Sequence, residues 1–395
     1  MGIGYNLQMS PAPQTQTPPA SPTHPAALDG VLVADFSRVL AGPYCTMLLG
    51  DLGAEVVKVE RPGLGDDTRH WGPPWHDDQA TYFLSVNRNK RSLTLDLRDP
   101  EDLERARELA LRADVLVENF KPGAFDAMGL GYDSLRAENP GLVYASISGF
   151  GTGEGASLPG YDLLVQAVGG LMSMTGSRPD EPVKVGVALV DVVTGLHATI
   201  GILAALQHRA STGEGQKVEV NLLSSLLSAL VNQSSGYAAA GSVPGIMGNR
   251  HPSIAPYESY PTADKPFVIA VGNDAQFRKC MEVLGCPELG GDERFATNPA
   301  RVQHRDELFD VMCERLQTRG ADEWFTELSR AGVPCGPIND VAGAFALADR
   351  LGLTPTTVVD GVPTVTNPIR LSATPPVYRH APPRLGDADD VQGEA

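Results

Sequence analysis

The chain has 395 residues, of which 42% are hydrophobic and 20% charged. That composition is globular rather than that of a charge-rich disordered chain. At roughly 150 residues per domain it accommodates two domains, or one large domain with a satellite. Asp and Glu number 48 against 31 Lys and Arg, a net charge of −17, which argues against nucleic acid and against an anionic membrane surface as partners. An anionic small ligand stays compatible where local Arg, Lys and backbone N–H groups hold it. Cys45, Cys280, Cys286, Cys313 and Cys335 are odd in number and lack C-x-x-C spacing. This argues against a disulfide framework or a zinc site and for a reducing, cytoplasmic setting. No metal is expected either, since His70 and His76 lack an H-E-x-x-H context. The most apolar stretch, Val185 to Gln207, is interrupted by Asp191 and His197, so no membrane span is expected.

In chain order, Met1 to Ala27 is rich in Pro, Thr, Gln and Ser. It lacks a signal peptide's basic start and apolar core, and reads as a flexible extension. Strands are predicted at Val31–Phe36, Glu55–Glu60, Ser92–Leu97, Val115–Asn119 and Val143–Ile147. Between them fall a helix through Met47–Leu49, punctuated by Gly42 and Pro43, and a charged amphipathic helix from Pro100 to about Arg112. Alternating strands and helices predict an α/β fold with a parallel sheet. Long helices are predicted over Asp191–Arg209 and Leu222–Ala240. The stretch from Tyr237 to Pro266, dense in Gly, Pro, Ser and Asn, reads as a linker or functional loop. A strand at Phe267–Val271 follows, with helices at Ala275–Leu284, Arg305–Gln317 and Ala321–Ala331. These make a smaller α/β unit. From Thr354 the tail is strand-like and Pro-rich, and is expected to return to the first unit. The boundaries are thus 1–27 for the extension, 28–236 for the large domain, 237–344 for the linker and small domain, and 345–395 for the return.

Neither G-x-x-x-x-G-K-[ST] nor G-x-G-x-x-G spacing is present, which weakens nucleotide and nicotinamide readings. The positive signal is Asp191, the only carboxylate in Val185–Gln207. Burying a lone carboxylate costs several kcal/mol unless it is hydrogen-bonded or paired. Two roles compete: a cap on a helix beginning Val192-Val193-Thr194, or a desolvated nucleophile or base. Both can hold, one oxygen capping while the other reacts. Gly160-Tyr161-Asp162, followed by Gln166, permits either close backbone approach to a ligand or tight helix packing. Gly248-Asn249-Arg250-His251-Pro252 reads as an anion-lining loop or an inter-domain connection.

Several stretches together carry a resemblance. They are Asp35-Phe36; Ala41-Gly42-Pro43; Leu52-Gly53-Ala54-Glu55-Val56-Val57-Lys58-Val59-Glu60-Arg61-Pro62; Gly65-Asp66-Asp67-Thr68-Arg69; Asn89-Lys90-Arg91-Ser92; Asp114 to Phe120; Gly195-Leu196-His197; and Gly213-Glu214-Gly215-Gln216. From about Leu28 to the C-terminal region the chain resembles the class III coenzyme A transferases, the superfamily of formyl-CoA transferase, carnitine-CoA transferase and α-methylacyl-CoA racemase.

The resemblance implies a Rossmann-like large domain built from both chain ends, a small domain between them, and an interlocked, ring-like homodimer. It implies acyl-CoA and a small carboxylic acid as substrates, with no tightly bound cofactor. Asp191 matches the catalytic carboxylate. Leu40, Ala41, Arg61, Leu95, Arg98, Asn119, Phe120, Lys121 and Tyr161 match CoA-binding positions, and Gly248, Asn249, Arg250 and His251 fall in the substrate loop. The racemases of the superfamily carry His where this chain has Tyr161. A phenol of pKa about 10 replaces poorly an imidazole of about 6.5, so a transferase is expected over a racemase, and the retained Asp191 argues against a catalytically silent acyl-CoA-binding protein. Ala127, Pro159 and the Gly248–His251 run depart from the formyl-CoA enzymes, which points away from formyl-CoA and oxalate and towards another acid, a dicarboxylate held by Arg250 or His251.

Overall fold

The computed structural model describes residues 25–389; the extension expected over 1–27 lies almost wholly outside them. β1 (Leu32–Asp35) leads through α1 (Ala41–Asp51) to β2 (Glu55–Glu60). A hairpin of β3 (Trp75–His76) and β4 (Gln79–Ala80) and the short α2 (Thr81–Val86) precede β5 (Lys90–Thr94). α3 (Pro100–Arg112), β6 (Val115–Glu118), α4 (Ala124–Ala127), α5 (Tyr132–Arg136) and β7 (Val143–Ser148) follow. The chain then runs through α6 (Asp162–Val168) and α7 (Leu189–Thr212) to β8 (Lys217–Asn221). Six of these strands form one parallel sheet in the order β5-β2-β1-β6-β7-β8. Counted in its own strands that is 3-2-1-4-5-6, the doubly wound order, with its switch point between β1 and β6.

Alternation along the strands explains the layers. Val33, Val56, Val115, Val117 and Val143 pack with α1 and α7. Their neighbours Ala34, Val57, Leu116 and Tyr144 pack with α3 and the segments after β6. Both faces are buried, so the strands read as apolar runs. α3 begins where the sequence predicts, because Asp99 accepts from the amides of Glu101 at 2.9 Å and Asp102 at 3.3 Å and Pro100 needs no donor partner in the first turn. α7 is long and apolar enough to cross a membrane by length and composition alone. In this fold Ala198, Ile202 and Ala205 are instead buried against α1 and the sheet, and Val190 against α6 and α8.

The single helix expected over Leu222–Ala240 is two, α8 (Leu222–Ala229) and α9 (Asn232–Ala240). Val231 takes a φ of +44°, a left-handed conformation that ends the ladder of helical hydrogen bonds, and Ser234 Oγ donates at 2.7 Å to the freed Leu227 carbonyl. The expected linker is therefore shorter, and it contains β9 (Tyr257–Tyr260). β9 pairs antiparallel with β10 (Phe267–Ala270), followed by α10 (Asp274–Val283), α11 (Asn298–Gln303), α12 (Arg305–Leu316) and α13 (Ala321–Arg330). β11 (Cys335–Pro337) completes the three-stranded sheet, and α14 (Val341–Arg350) follows. This unit has its own core, with Phe267, Ile269, Phe277, Met312, Trp324 and Leu328 fully enclosed.

After a hairpin of β12 (Thr356–Val359) and β13 (Val362–Val365), the tail lies against the large sheet. Val377 N–H donates to Asp51 O at 2.8 Å, and Ala388 N–H donates to Ser92 O at 2.9 Å. Asp387 and Asp389 each accept at 2.7 Å from β5, from the amides of Ser92 and Thr94. β5 is an edge strand, and these contacts occupy amides that an open edge would leave unpaired.

Candidate active site

A buried ionic network braces the carboxyl ends of the strands. Lys58 of β2 meets Asp66 at 2.9 Å and Lys90 of β5 meets Asp35 of β1 at 3.0 Å, all four side chains sealed from solvent. Burial alone would push the Asp35 carboxyl up, but Lys90 and Lys58 hold it below the ordinary range. Burial works the same way on Asp66, where Lys58 and the Thr68 amide prevail and bring it down to about 2. Burial depresses Lys90 to about 8 against the pull of Asp35. Glu60 accepts both arms of the Arg69 guanidinium, at 2.8 and 2.7 Å. These contacts fix the loops after β1 and β2. Asn119, following β6, clamps the first of them, accepting from Arg38 N–H at 2.9 Å and donating to Arg38 O at 2.7 Å. Val39 is held at a φ of +72°, a conformation that a β-branched residue adopts only under constraint, with Asp66 accepting its N–H at 3.2 Å.

A cleft of about 190 Å³ opens at these strand ends, lined in part by Phe36, Arg38, Arg61, Leu95, Arg98 and Phe120. Open α/β sheets bind ligands at such a switch point. Arg61, Leu95, Arg98 and Phe120, expected from separate segments, are thus brought together. Asn119 stands behind the wall, Lys121 is exposed beyond it, and Leu40 and Ala41 are buried at the start of α1. Arg38 was not anticipated; its guanidinium lies 5.2 Å from the Phe120 ring centroid. Arg61 pairs with Asp67 at 2.7 Å and Arg98 with Asp96 at 2.9 Å. Such exposed pairs are weak, so both cations can be turned to an anion.

Asp191 is not the cap expected from sequence. α7 begins two residues earlier, at Leu189, and its cap residue Ala188 contributes no side-chain bond. The amides are taken instead from across the site: Asp162 Oδ1 accepts from Val190 N–H at 2.8 Å and Asp191 N–H at 3.3 Å. The Asp191 carboxyl, partly buried in the first turn, is pushed up to about 7, by burial first and by the Asp162 charge second. Tyr82 of α2 feels both carboxylates; burial and then Asp191 and Asp162 raise its phenol. Packing links this site to the start of α1. A Cβ on Gly195 would stand 2.6 Å from the Ala41 carbonyl oxygen, so only glycine lets the second turn of α7 approach the N-terminus of α1 so closely. Tyr161, just before α6, is 64% exposed.

The Gly248–His251 segment lies near the loop before α7: a Cβ on Gly248 would be 3.7 Å from Ser177 O. Arg250 donates from Nε to Glu258 at 2.9 Å and from Nη1 to Asp306 at 2.7 Å. His251 accepts from Ser253 N–H at 3.1 Å and packs 5.2 Å from the Tyr257 ring. Asn249 donates to Ser259 Oγ at 2.7 Å. The segment is therefore anchored to β9 and α12 of the small unit. Among the described residues no group of three His, Cys, Asp or Glu is placed to hold a metal ion.

Comparison with known proteins agrees with this architecture. Residues 28–389 match the model of CoA-transferase family III. The chain is 42% identical over 381 residues to succinate–glutarate CoA-transferase of Agrobacterium fabrum, covering 93% of this chain and 94% of that protein. It is 41% identical over 384 residues to acetyl-CoA:oxalate CoA-transferase of Acetobacter aceti, covering 96% and 97%. A crystal structure of a CaiB/BaiF family protein from Brucella suis superposes with a TM-score of 0.84 at 45% identity, covering 93% of this chain and 99% of that one. The chain belongs to CoA-transferase family III. It is an acyl-CoA:carboxylate CoA-transferase, as the sequence resemblance implies.

Proposed function

We propose that the protein moves CoA from an acyl-CoA donor to a short dicarboxylic acid through covalent intermediates on Asp191. The observation that carries this reading is a partly buried carboxyl in the first turn of α7, beside Asp162 and one helical turn before the contact of Gly195 with Ala41, where burial and the Asp162 charge push it up to about 7. The Asp191 carboxylate oxygen attacks the thioester carbonyl; the C–S bond breaks, leaving a mixed anhydride and CoA thiolate. The thiolate attacks the aspartyl carbonyl, releases the donor acid and forms an aspartyl-CoA thioester. The acceptor carboxylate displaces thiolate again to form a second anhydride. Thiolate then attacks the acceptor's carbonyl, and the Asp191 carboxylate is regenerated. Anhydride and thioester are close in reactivity, so the acyl group passes either way. Water exclusion protects both.

In this reading Arg61, Arg98 and Lys121 meet CoA phosphates, while Leu40 and Ala41 supply main-chain contacts. Leu95, Asn119, Phe120 and Tyr161 complete the CoA site. The segment Gly248–His251 faces the acid, and Arg250 Nη2, which has no protein partner among the described residues, takes its distal carboxylate. The relative named for succinate and glutarate supports a dicarboxylate, and the one named for oxalate runs against the expectation that pointed away from oxalate. The active form is an interlocked homodimer. The exposed apolar side chains of α7 and α9, Leu196, Ile200 and Tyr237 among them, support a partner surface there. Five free cysteines support a reducing, cytoplasmic setting.

The test is incubation with succinyl-CoA and a panel of dicarboxylates, with new thioesters read by mass spectrometry. Asp191→Ala should abolish transfer while the protein stays folded. A loss smaller than about tenfold would remove Asp191 as nucleophile. Deuterium uptake at the α-carbon of a 2-methylacyl-CoA without acceptor acid would favour a racemase, against which Tyr161 stands.

A further inference from the structure

The amides at the start of α7 would ordinarily attract the nearest carboxylate. A carboxyl in a helix's first turn tends to be stabilised by the free N–H groups and by the positive end of the helix dipole. Asp191 occupies that position, yet Asp162, from another helix, takes its amide and that of Val190, at 3.3 and 2.8 Å. Asp162 is itself braced. Gln166, one turn along α6 and fully buried, donates from Nε2 to Asp162 Oδ2 at 2.5 Å, and its Oε1 accepts from Val185 N–H at 2.9 Å. The pair therefore ties α6, the segment entering α7 and the first turn of α7 into one rigid corner. With two amides engaged, the carboxylate beside them is left poorly stabilised.

We infer that Asp162, braced by Gln166, is a positioning residue: it occupies the helix amides that would otherwise quiet Asp191, and so keeps that carboxylate oriented and reactive. This rests on the reading of Asp191 as nucleophile. The charges facing Asp191 agree with it. α6 presents Asp162, and α2 presents Tyr82, whose phenol senses both acids. α8 carries no titratable side chain, and α1 presents Tyr44 against Gly195, one turn further along. Among the described residues, Asp162 is the acid that adds to the upward push of burial on Asp191.

The experiment compares wild type with Asp162→Asn, whose amide oxygen can still accept both N–H groups, and with Gln166→Leu. The Asp191 carboxyl is titrated by ¹³C NMR, assigned through Asp191→Asn, alongside kcat and KM for succinyl-CoA across pH. In Asp162→Asn the Asp191 titration should move acidward by about one unit, the scale of a neighbouring charge. kcat above about pH 8, where Asp191 is ionised in both proteins, should fall severalfold, with KM for the thioester within about twofold. Gln166→Leu should lower kcat by about tenfold through lost orientation. An unmoved titration and an unchanged kcat in Asp162→Asn, with only thermal stability reduced, would show Asp162 to be a helix cap and overturn the inference. Borohydride or hydroxylamine trapping of wild type during turnover separates the two claims. Failure to modify Asp191 there removes the nucleophile reading, whereas trapping with an unmoved titration removes only the positioning role.

Discussion

Asp191 was legible in the sequence as a lone carboxylate in a span otherwise free of formal charge. Its environment was not, because it is set by burial and by Asp162 of α6, which only folding brings to it. With a carboxyl raised to about 7, the reactive anion predominates only above neutrality, so kcat/KM should rise with pH and level off above about pH 8. A profile flat from pH 5 to 8 would oppose this. The same shift has a stability consequence. A folded-state value above the unfolded one means that stability from this group is present at low pH and lost as pH rises through about 7. Asp191→Asn removes the ionisable group. The variant should therefore melt higher than wild type at pH 8 and draw level with it only near pH 4, below the ordinary carboxyl value, as read by differential scanning fluorimetry.

Among the elements, those with strong local signals were legible. α3 has Asp99 and Pro100 at its start, and the central strands are uninterrupted apolar runs. β8 escaped notice although Lys217-Val218-Glu219-Val220-Asn221 alternates in strand fashion, because as an edge strand it lacks a continuous apolar run. α6 was hidden inside a Gly-Tyr-Asp pattern that reads equally as a loop. The contact of α7 with α1 belongs to this scale. Gly195→Ala places a methyl 2.6 Å from the Ala41 carbonyl oxygen, and overpacking of this kind costs roughly 1–3 kcal/mol. Urea denaturation should show that loss. Because the helices must part at the start of α1, KM for acyl-CoA should rise as well. An equally active, equally stable variant would show that the helices yield without consequence.

For the molecule as a whole, the active region depends on charges and chain ends that meet only after folding. Lys58→Met would leave Asp66 buried without its partner, and breaking a buried pair costs roughly 3–5 kcal/mol. The expected result is a lower denaturation midpoint together with weakened CoA binding by calorimetry, since Asp66 also holds the loop through Val39. Deleting residues 367–395 removes the acceptors Asp387 and Asp389 from β5. The truncated chain should lose cooperative unfolding and aggregate through the uncovered edge.

Apolar periodicity, capping residues and the lone acid determined the α/β class, most of the sheet strands and the position of the proposed nucleophile, because each is a property of neighbours along the chain. Only the tertiary structure decided that Asp162 rather than Asp191 caps α7, that Arg61, Arg98 and Phe120 share one cleft, and that Arg250 is anchored to Glu258 and Asp306. Those outcomes depend on which distant groups burial forces to satisfy one another, and no local pattern encodes the competition between two carboxylates for the same two amides.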